Sequence, residues 1–536
     1  MLNHSPSPYL NISLSLKIFL SCLLSIGIAA CSTLPPQQPQ PIQSALSTDT
    51  RDTSLAKMIQ PLRLQHPDLT GYHILSDPLD ALAARISLIN QAEKTLDLQY
   101  YIWNNDRIGA LALYSILQAA NRGVKVRLLI DDNNAKEMEG IFLVLDQHPN
   151  IDIKLYNPYR FRHYRAIDML LDLKRINRRM HNKSFIVDNQ IALIGGRNMS
   201  DQYYNLGDNY QFADVDVMLV GQSSDQVINS FDNYWNDDYA YPVKQLVNPQ
   251  QYRLDYDNLT QQLAQNYKEI STQNYLDLAY HSQAFERNFN QLMHFNWTQA
   301  EVFSDPPEKI KGTAVPAQYL GPQLLAKLEK PEHHLDIISA YFVPGKEGTA
   351  QLNALAQQGV KVRILTNSFK ANDVPIVHAF YSKYRPDLLD HNVQLYEFLY
   401  SPDQEVLHKD IEEIAQKIKV NIKGLSHASL HAKLFAIDDK QVFIGSPNFD
   451  PRSAYLNSEI GVLLNSPTLA QGIHQAMNQN LSHYAYKLLL NADHHINWQV
   501  EKNTKDIREF KTEPRMRWYQ KAALKVLSWL PIEGFM

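Results

Sequence analysis

Apolar and polar positions along the chain fall into a pattern that occurs twice. Leu96-Asp97-Leu98-Gln99-Tyr100-Tyr101-Ile102 reads as a strand, a helix follows from about Gly109 to Ala120, and Gly123 leads into the apolar strand Val124 to Ile130. Leu335 to Tyr341 is again a strand, a helix reaches Gln358, and Gly359-Val360-Lys361-Val362-Arg363 repeats the lead-in Gly123-Val124-Lys125-Val126-Arg127. Strand, helix, strand in that order predicts a parallel βαβ unit, because parallel neighbours need a crossover and a helix usually supplies it. Ahead of the first unit, Asp77-Pro78 opens a helix whose Leu79, Leu82, Ile86 and Ile89 recur at helical spacing. The chain therefore reads as an internal duplication of α/β class, with an α/β/α sandwich in each half. We expect a first half over residues 61–300 with a helical insert at about 225–300, a second half over 301–490 with an insert at about 402–428, and a helical tail over 491–536. In the tail, Met516, Tyr519, Ala523, Val526, Leu527 and Leu530 alternate with Arg515, Arg517, Lys521 and Lys525. A helix packed on its own domain is the favoured reading, with a bilayer surface as the alternative.

A length of 536 residues is too great for one core and suits two domains with appendages. The net charge of −5 speaks against an extended nucleic-acid-binding face, while leaving room for a local phosphate site. Of the two cysteines, Cys22 lies in the apolar run Ile18 to Ala30, and Cys31 closes it. That run follows Lys17 and is short for a membrane span, so residues 1–30 read as a signal peptide. Ile28-Ala29-Ala30-Cys31 resembles a bacterial lipobox, which implies cleavage before Cys31 and lipidation of its thiol. An ordinary signal peptide or an uncleaved anchor helix is the alternative. Ser32 in place of aspartate favours, by the same resemblance, the outer membrane with the body in the periplasm. Residues 31–60, with Pro35-Pro36-Gln37-Gln38-Pro39-Gln40-Pro41, are expected to be a flexible tether.

The chemistry lies in a second repeat. His181-Asn182-Lys183 precedes Asp188, Gly195-Gly196 and Asn198, and His431-Ala432-Lys433 precedes Asp438, Gly445-Ser446 and Asn448 at the same spacing. A lone His-x-Lys carries no information, whereas two copies matched at every keyed position point to one site built from two halves. If His181 and Lys183 lie in a strand, their side chains share a face, and so do those of His431 and Lys433. Asp188 and Asp438 complete the candidate catalytic set, although they fall at strand ends on the opposite parity. Lys183, Lys433, Asn198 and Asn448 are donors suited to the non-bridging oxygens of a phosphate. One imidazole can attack phosphorus while the other protonates the departing oxygen. A zinc site is not expected, since lysine stands where a ligand is needed.

These motifs resemble the phospholipase D superfamily and, within it, the cardiolipin synthases, over roughly residues 70 to 536. The likeness rests on Asn177-Arg178-Arg179-Met180-His181-Asn182-Lys183, Phe212-Ala213-Asp214-Val215-Asp216-Val217 and Tyr341-Phe342-Val343-Pro344. It extends to Asn367-Ser368, Asp373 to His378, Asp450-Pro451-Arg452-Ser453 and Leu530-Pro531-Ile532-Glu533. The resemblance implies two halves about a pseudo-twofold axis and no metal or other cofactor. It implies His181 as nucleophile, His431 as general acid and then base, and Asp214 and Glu459 as the acids that orient the histidine of the motif each follows. It moves Asp188 and Asp438 toward a structural role. Gly196-Arg197 stands where many members have Gly-Ser, and Arg197 either touches phosphate or faces solvent. The expected reaction moves a phosphatidyl group between phospholipids through a phosphohistidine, with phosphatidylglycerol and phosphatidylethanolamine as candidate substrates. Hydrolysis to phosphatidic acid is the alternative, with a nuclease and an inactive lipid-binding lipoprotein behind it. The N-terminal lipid is the expected membrane contact, and no nucleic-acid partner is expected.

Overall fold

The computed structural model describes residues 34–37, 41–206, 212–252, 255–272, 294–399, 429–479, 481–503 and 506–535. The signal segment, Cys31 and the insert expected at 402–428 lie outside them.

Two mixed sheets carry the chain. The first runs, in spatial order, Asn296–Thr298, Thr70–Leu75, Asp216–Gly221, Ile191–Gly195, Ser184–Val187, Thr95–Tyr100, Lys125–Asp131, Ile151–Tyr156 and Ala240–Pro242. The second runs Ala300–Ser304, Ile460–Leu464, Gln441–Gly445, Lys433–Ile437, His334–Ser339, Lys361–Asn367, Gln394–Phe398, Ala485–Leu490, Ile496–Asn503 and Asp506–Phe510. The six central strands correspond one to one. In each half the βαβ strands are parallel, as with Leu98 beside Leu128 and Ile337 beside Ile364. The motif hairpin adds antiparallel to them, with Leu98 beside Phe185 and Ile337 beside Phe435.

Local chemistry explains the elements. Asp106 caps the helix Arg107–Asn121 by accepting from Gly109 N at 3.0 Å, and that helix buries Leu111, Leu113, Ile116 and Leu117. Each such side chain contributes about 1.5–3 kcal/mol of apolar burial. Asp77 caps the helix Pro78–Gln91 as expected, through Leu79 N and Asp80 N. Separate clusters cover the outer faces of the two sheets, and one cluster is shared between them. The shared cluster joins Val217, Leu219 and Phe231 of the first half to Val442, Ile444 and Val462 of the second. The halves are therefore fused through a common core, which fixes the seam where the motifs stand.

Three expectations are corrected. Residues 41–60 are not a free tether: Ala45–Ser47 is a 3-10 turn, and the helix Ser54–Gln65 buries Leu55 and Ile59. Ala45 N donates to Asp232 at 2.9 Å, and Asn189 and Gln190 reach back to Ala45 O and Thr50. A few apolar anchors in a polar stretch suffice to dock it. The tail is not wholly helical either. Ile496–Asn503 and Asp506–Phe510 extend the second sheet, so its edge lies beyond residue 490, and the helix is only Trp518–Leu527. Last, the motif strand of the first half begins at Ser184, so His181 to Lys183 are an extended lead-in outside the ladder.

Candidate active site

Each histidine lead-in is pinned by the opposite half. His181 N donates to Ser458 O at 2.9 Å, and Met180 bridges Ser458. His431 N donates to Ala213 O at 2.7 Å, where Ser429–Leu430 pairs in parallel with Phe212–Ala213. The two arrangements are pseudo-twofold equivalents. Neither lead-in can take its place unless the seam has formed.

The acids cross that seam. His181 Nδ1 lies 2.8 Å from Glu459 Oε2, and His431 Nδ1 lies 2.5 Å from Asp214 Oδ2. The structure brings together all four residues expected from the sequence but exchanges the acids, so each histidine is oriented by the carboxylate from the other half. A carboxylate fixes the proton on Nδ1 and leaves Nε2 as the reactive nitrogen. Ser453 Oγ donates to Glu459 Oε1 at 2.9 Å, and Ser446 Oγ donates to Oε2. Glu459 is held down to about 2: burial opposes this, and His181, Lys183 and Ser446 outweigh it.

Both lysines turn in beside the imidazoles. Lys183 Nζ donates to His181 O at 2.7 Å, and Lys433 Nζ donates to His431 O. Burial pushes Lys183 down to about 7, with Lys433 adding to the shift against Glu459. Burial likewise pushes His181 down to about 4, aided by Lys183 and Lys433 and opposed by Glu459. His431 is lowered by burial and Lys433, against Asp214. The site thus sets lowered-pKa imidazoles, each held by a carboxylate, beside two buried ammonium groups, a donor set that suits the oxygens of a phosphodiester. Tyr101 and Tyr203 meet the two imidazoles edge-on, with centroids 5.0 Å and 5.1 Å away.

The remaining expected residues fall elsewhere. Asp188 accepts from the backbone of Glu93, Lys94 and Thr95, and Asp438 accepts from that of Glu332, His333 and His334. Both aspartates tie the hairpin turn to the strand beside it, so they frame the site and have no place in the catalytic set. Asn198 is largely committed, its Oδ1 accepting from Ile102 N at 3.0 Å and its Nδ2 donating one hydrogen to Tyr203 Oη at 2.8 Å. Its counterpart Asn448 differs, since its buried Oδ1 has no partner among the described residues. Arg197 neither faces solvent nor meets substrate. It is enclosed, donating to Leu75 O, Ser76 O, Tyr203 O and Asp214 O and pairing with Asp216. The Gly196–Ser446 difference follows from the acids. A Cβ at Gly196 would stand 2.2 Å from Asp214 Oδ1, whereas Glu459, longer by one methylene, leaves room for the Ser446 hydroxyl. Sequence reasoning assigned no side-chain role to Tyr101, Tyr203, Ser446 or Ser453, although Ser446 and Ser453 both stood in motifs already singled out.

The family described as "Cardiolipin synthase, PLD-like domain" matches residues 86–235 and 324–481, one span in each half. Cardiolipin synthase C of Escherichia coli is 40% identical over 483 residues, covering 90% of this chain and 99% of that protein. A cardiolipin synthase of Geobacillus kaustophilus is 22% identical, covering 73% of this chain and 62% of that protein. Among solved structures, phosphatidylserine synthase of Haemophilus influenzae shares the fold, with a TM-score of 0.54 and 14% identity over 90% of this chain and 100% of that one. With two matched spans, one relative of nearly full coverage and a duplicated histidine–lysine site on the seam, the chain belongs to the phospholipase D superfamily and is an enzyme of its cardiolipin synthase branch.

Proposed function

We propose that this enzyme transfers a phosphatidyl group from one phospholipid to the hydroxyl of another, with phosphatidylglycerol as the preferred partner and cardiolipin as the product. The crossed His181–Glu459 and His431–Asp214 pairs carry the reading. His181 Nε2 attacks phosphorus as the bond to the leaving alcohol breaks. His431 Nε2–H supplies that alcohol's proton. The acceptor hydroxyl then returns a proton to His431 and attacks phosphorus, and the phosphorus–nitrogen bond breaks. Ester count is conserved, so no nucleotide is consumed. Lys183 and Lys433 are the donors we assign to the phosphate oxygens, while the unpartnered Asn448 Oδ1 is an acceptor suited to a substrate hydroxyl. The anionic substrate raises the proton affinity of His431 and keeps Lys183 charged, which prepares the acid and the clamp together. Similarity to cardiolipin synthase C favours transfer over hydrolysis. We also propose lipidation at Cys31 and a periplasmic location at the outer membrane, which the Ile28-Ala29-Ala30-Cys31-Ser32 pattern supports. Purified protein with labelled phosphatidylglycerol, with and without phosphatidylethanolamine, tests the reaction. Labelled cardiolipin is expected, and phosphatidic acid alone would make the enzyme a hydrolase.

A further inference from the structure

Among the described residues no helix is long and apolar enough to cross a membrane. Yet the chain exposes large apolar side chains in two stretches that adjoin the site. In the helix Arg165–Leu171 and just after it, Leu170 is 85% exposed, and Leu171 and Leu173 are exposed with it. This stretch leads directly into Asn177 to His181. In the helix Trp518–Leu527 and its last turn, Trp518 is 83% and Trp529 71% exposed.

The C-terminal helix has two apolar faces. Leu524 and Leu527 pack inward against Phe369 and Ala379. Trp518, Ala522, Val526 and Trp529 follow one another at helical spacing about a third of a turn or more away, on a face the fold leaves uncovered. Lys521 and Lys525 border that face. From residue 511 to 535 the chain has five cations and two carboxylates, against an overall charge of −5. Both carboxylates are engaged, Glu513 with His378 and Arg385, and Glu533 with Lys383. Lys511, Arg517, Lys521 and Lys525 remain exposed.

The two stretches join around the catalytic residues. Arg452 donates to Asn177 O at 3.0 Å, and Arg178 donates to Tyr455 O at 3.2 Å. The helix Pro451–Tyr455, which supplies Ser453 to Glu459, packs in turn on Glu533–Phe535. Ile532 packs on the cluster that includes Tyr341. Tryptophan belongs at a water–lipid boundary, and cations beside an apolar helix face suit an anionic bilayer.

We propose that this apolar and basic rim docks the catalytic body on an anionic phospholipid surface, presenting the seam between His181 and His431 to lipid independently of any acyl anchor. The residues are read without reference to the reaction; only the purpose of docking rests on the phospholipid reading above.

The full-length protein, added to phosphatidylglycerol–phosphatidylcholine vesicles containing brominated lipid, is expected to show tryptophan quenching. The quenching should weaken steeply with salt and be largely lost in Trp518→Phe/Trp529→Phe. Leu170→Ser/Leu171→Ser and Lys521→Ser/Lys525→Ser should raise the apparent KM for vesicle phosphatidylglycerol by roughly tenfold or more, with kcat on dispersed short-chain phosphatidylglycerol unchanged. Absence of quenching overturns the proposal, as does equal loss of short-chain turnover in the rim variants. So does a dimer that the rim variants split while vesicle quenching persists, since the face would then belong to a second copy of the chain. Quenching needs no turnover, so wild-type protein that is quenched yet inactive would count against the catalytic reading alone.

Discussion

Replacing Glu459 by glutamine keeps the shape of the group that faces His181 and removes its charge. The amide oxygen still accepts from Nδ1, and the Ser453 hydroxyl, 2.9 Å from Oε1, can turn to accept from the amide nitrogen. What disappears is the carboxylate that balances positive charge on the ring as its Nε2 bonds to phosphorus. A hydrogen bond to a charged group contributes about 1.5–3 kcal/mol. At about 1.4 kcal/mol per tenfold in rate, adduct formation should slow by roughly 10- to 150-fold. Asp214→Asn makes the equivalent change at His431. A p-nitrophenyl ester of phosphatidic acid separates the two, because p-nitrophenolate leaves without a proton. Stopped-flow release of p-nitrophenolate should show a slowed burst in Glu459→Gln. In Asp214→Asn the burst should survive and the slower, acceptor-dependent phase should fall. The opposite pattern, with Asp214→Asn suppressing the burst and Glu459→Gln sparing it, would refute the reasoning that the acids act across the seam.

Gly196→Ala places a methyl group 2.2 Å from Asp214 Oδ1 and must displace that acid. It should slow the His431-dependent phase by at least roughly tenfold, whereas Ser446→Ala loses the bond to Glu459 and the one accepted from Ile460 N and should slow the burst by roughly tenfold or more, both read in the same burst assay. Asp188→Asn keeps a residue type that tolerates its φ of 48° and weakens only the turn's hold on the neighbouring strand. The melting temperature should fall by an amount equivalent to about 1–2 kcal/mol while kcat per folded molecule stays unchanged. Arg197→Met leaves buried Asp216 with Arg85 alone and should cost about 3–5 kcal/mol by urea unfolding. His181 is depressed to about 4 and must be neutral to attack, so its activity is present above that pH and lost as pH falls through it. Lys183 is depressed to about 7 and must be charged to clamp phosphate, so kcat/KM should decline above that pH. A profile whose acid limb sits instead near an unperturbed imidazole would contradict the burial argument.

The duplicated strand–helix–strand periodicity made the α/β halves legible, because each parallel unit encodes its own crossover within a few dozen residues. The motif spacing made His181, Lys183, His431 and Lys433 legible for the same local reason, whereas Asp214 and Glu459 entered through the family resemblance. The exchange of Asp214 and Glu459 was not legible. It depends on how Ser429–Leu430 meets Phe212–Ala213 and Met180 meets Ser458, contacts between residues more than two hundred positions apart. Spacing marked Asn198 by position and says nothing of Ile102 N and the Tyr203 hydroxyl, which engage its carbonyl and one amide hydrogen. The docking of residues 41–60 was hidden by polar composition around a few anchors such as Leu55 and Ile59. The tail strands were different: Ile496, Trp498 and Val500 alternate with polar residues, and that period-two signal stood in the sequence behind the more conspicuous helix.

Mapping the covalent group tests the central claim most directly. His431→Ala incubated with the p-nitrophenyl ester and quenched should carry an acid-labile phosphatidyl group, and mass spectrometry should place it on the peptide containing His181, with no adduct in His181→Ala. An adduct on His431 in the His181→Ala variant, or none in either protein, would contradict the assignment of His181 as the residue that holds the phosphatidyl group.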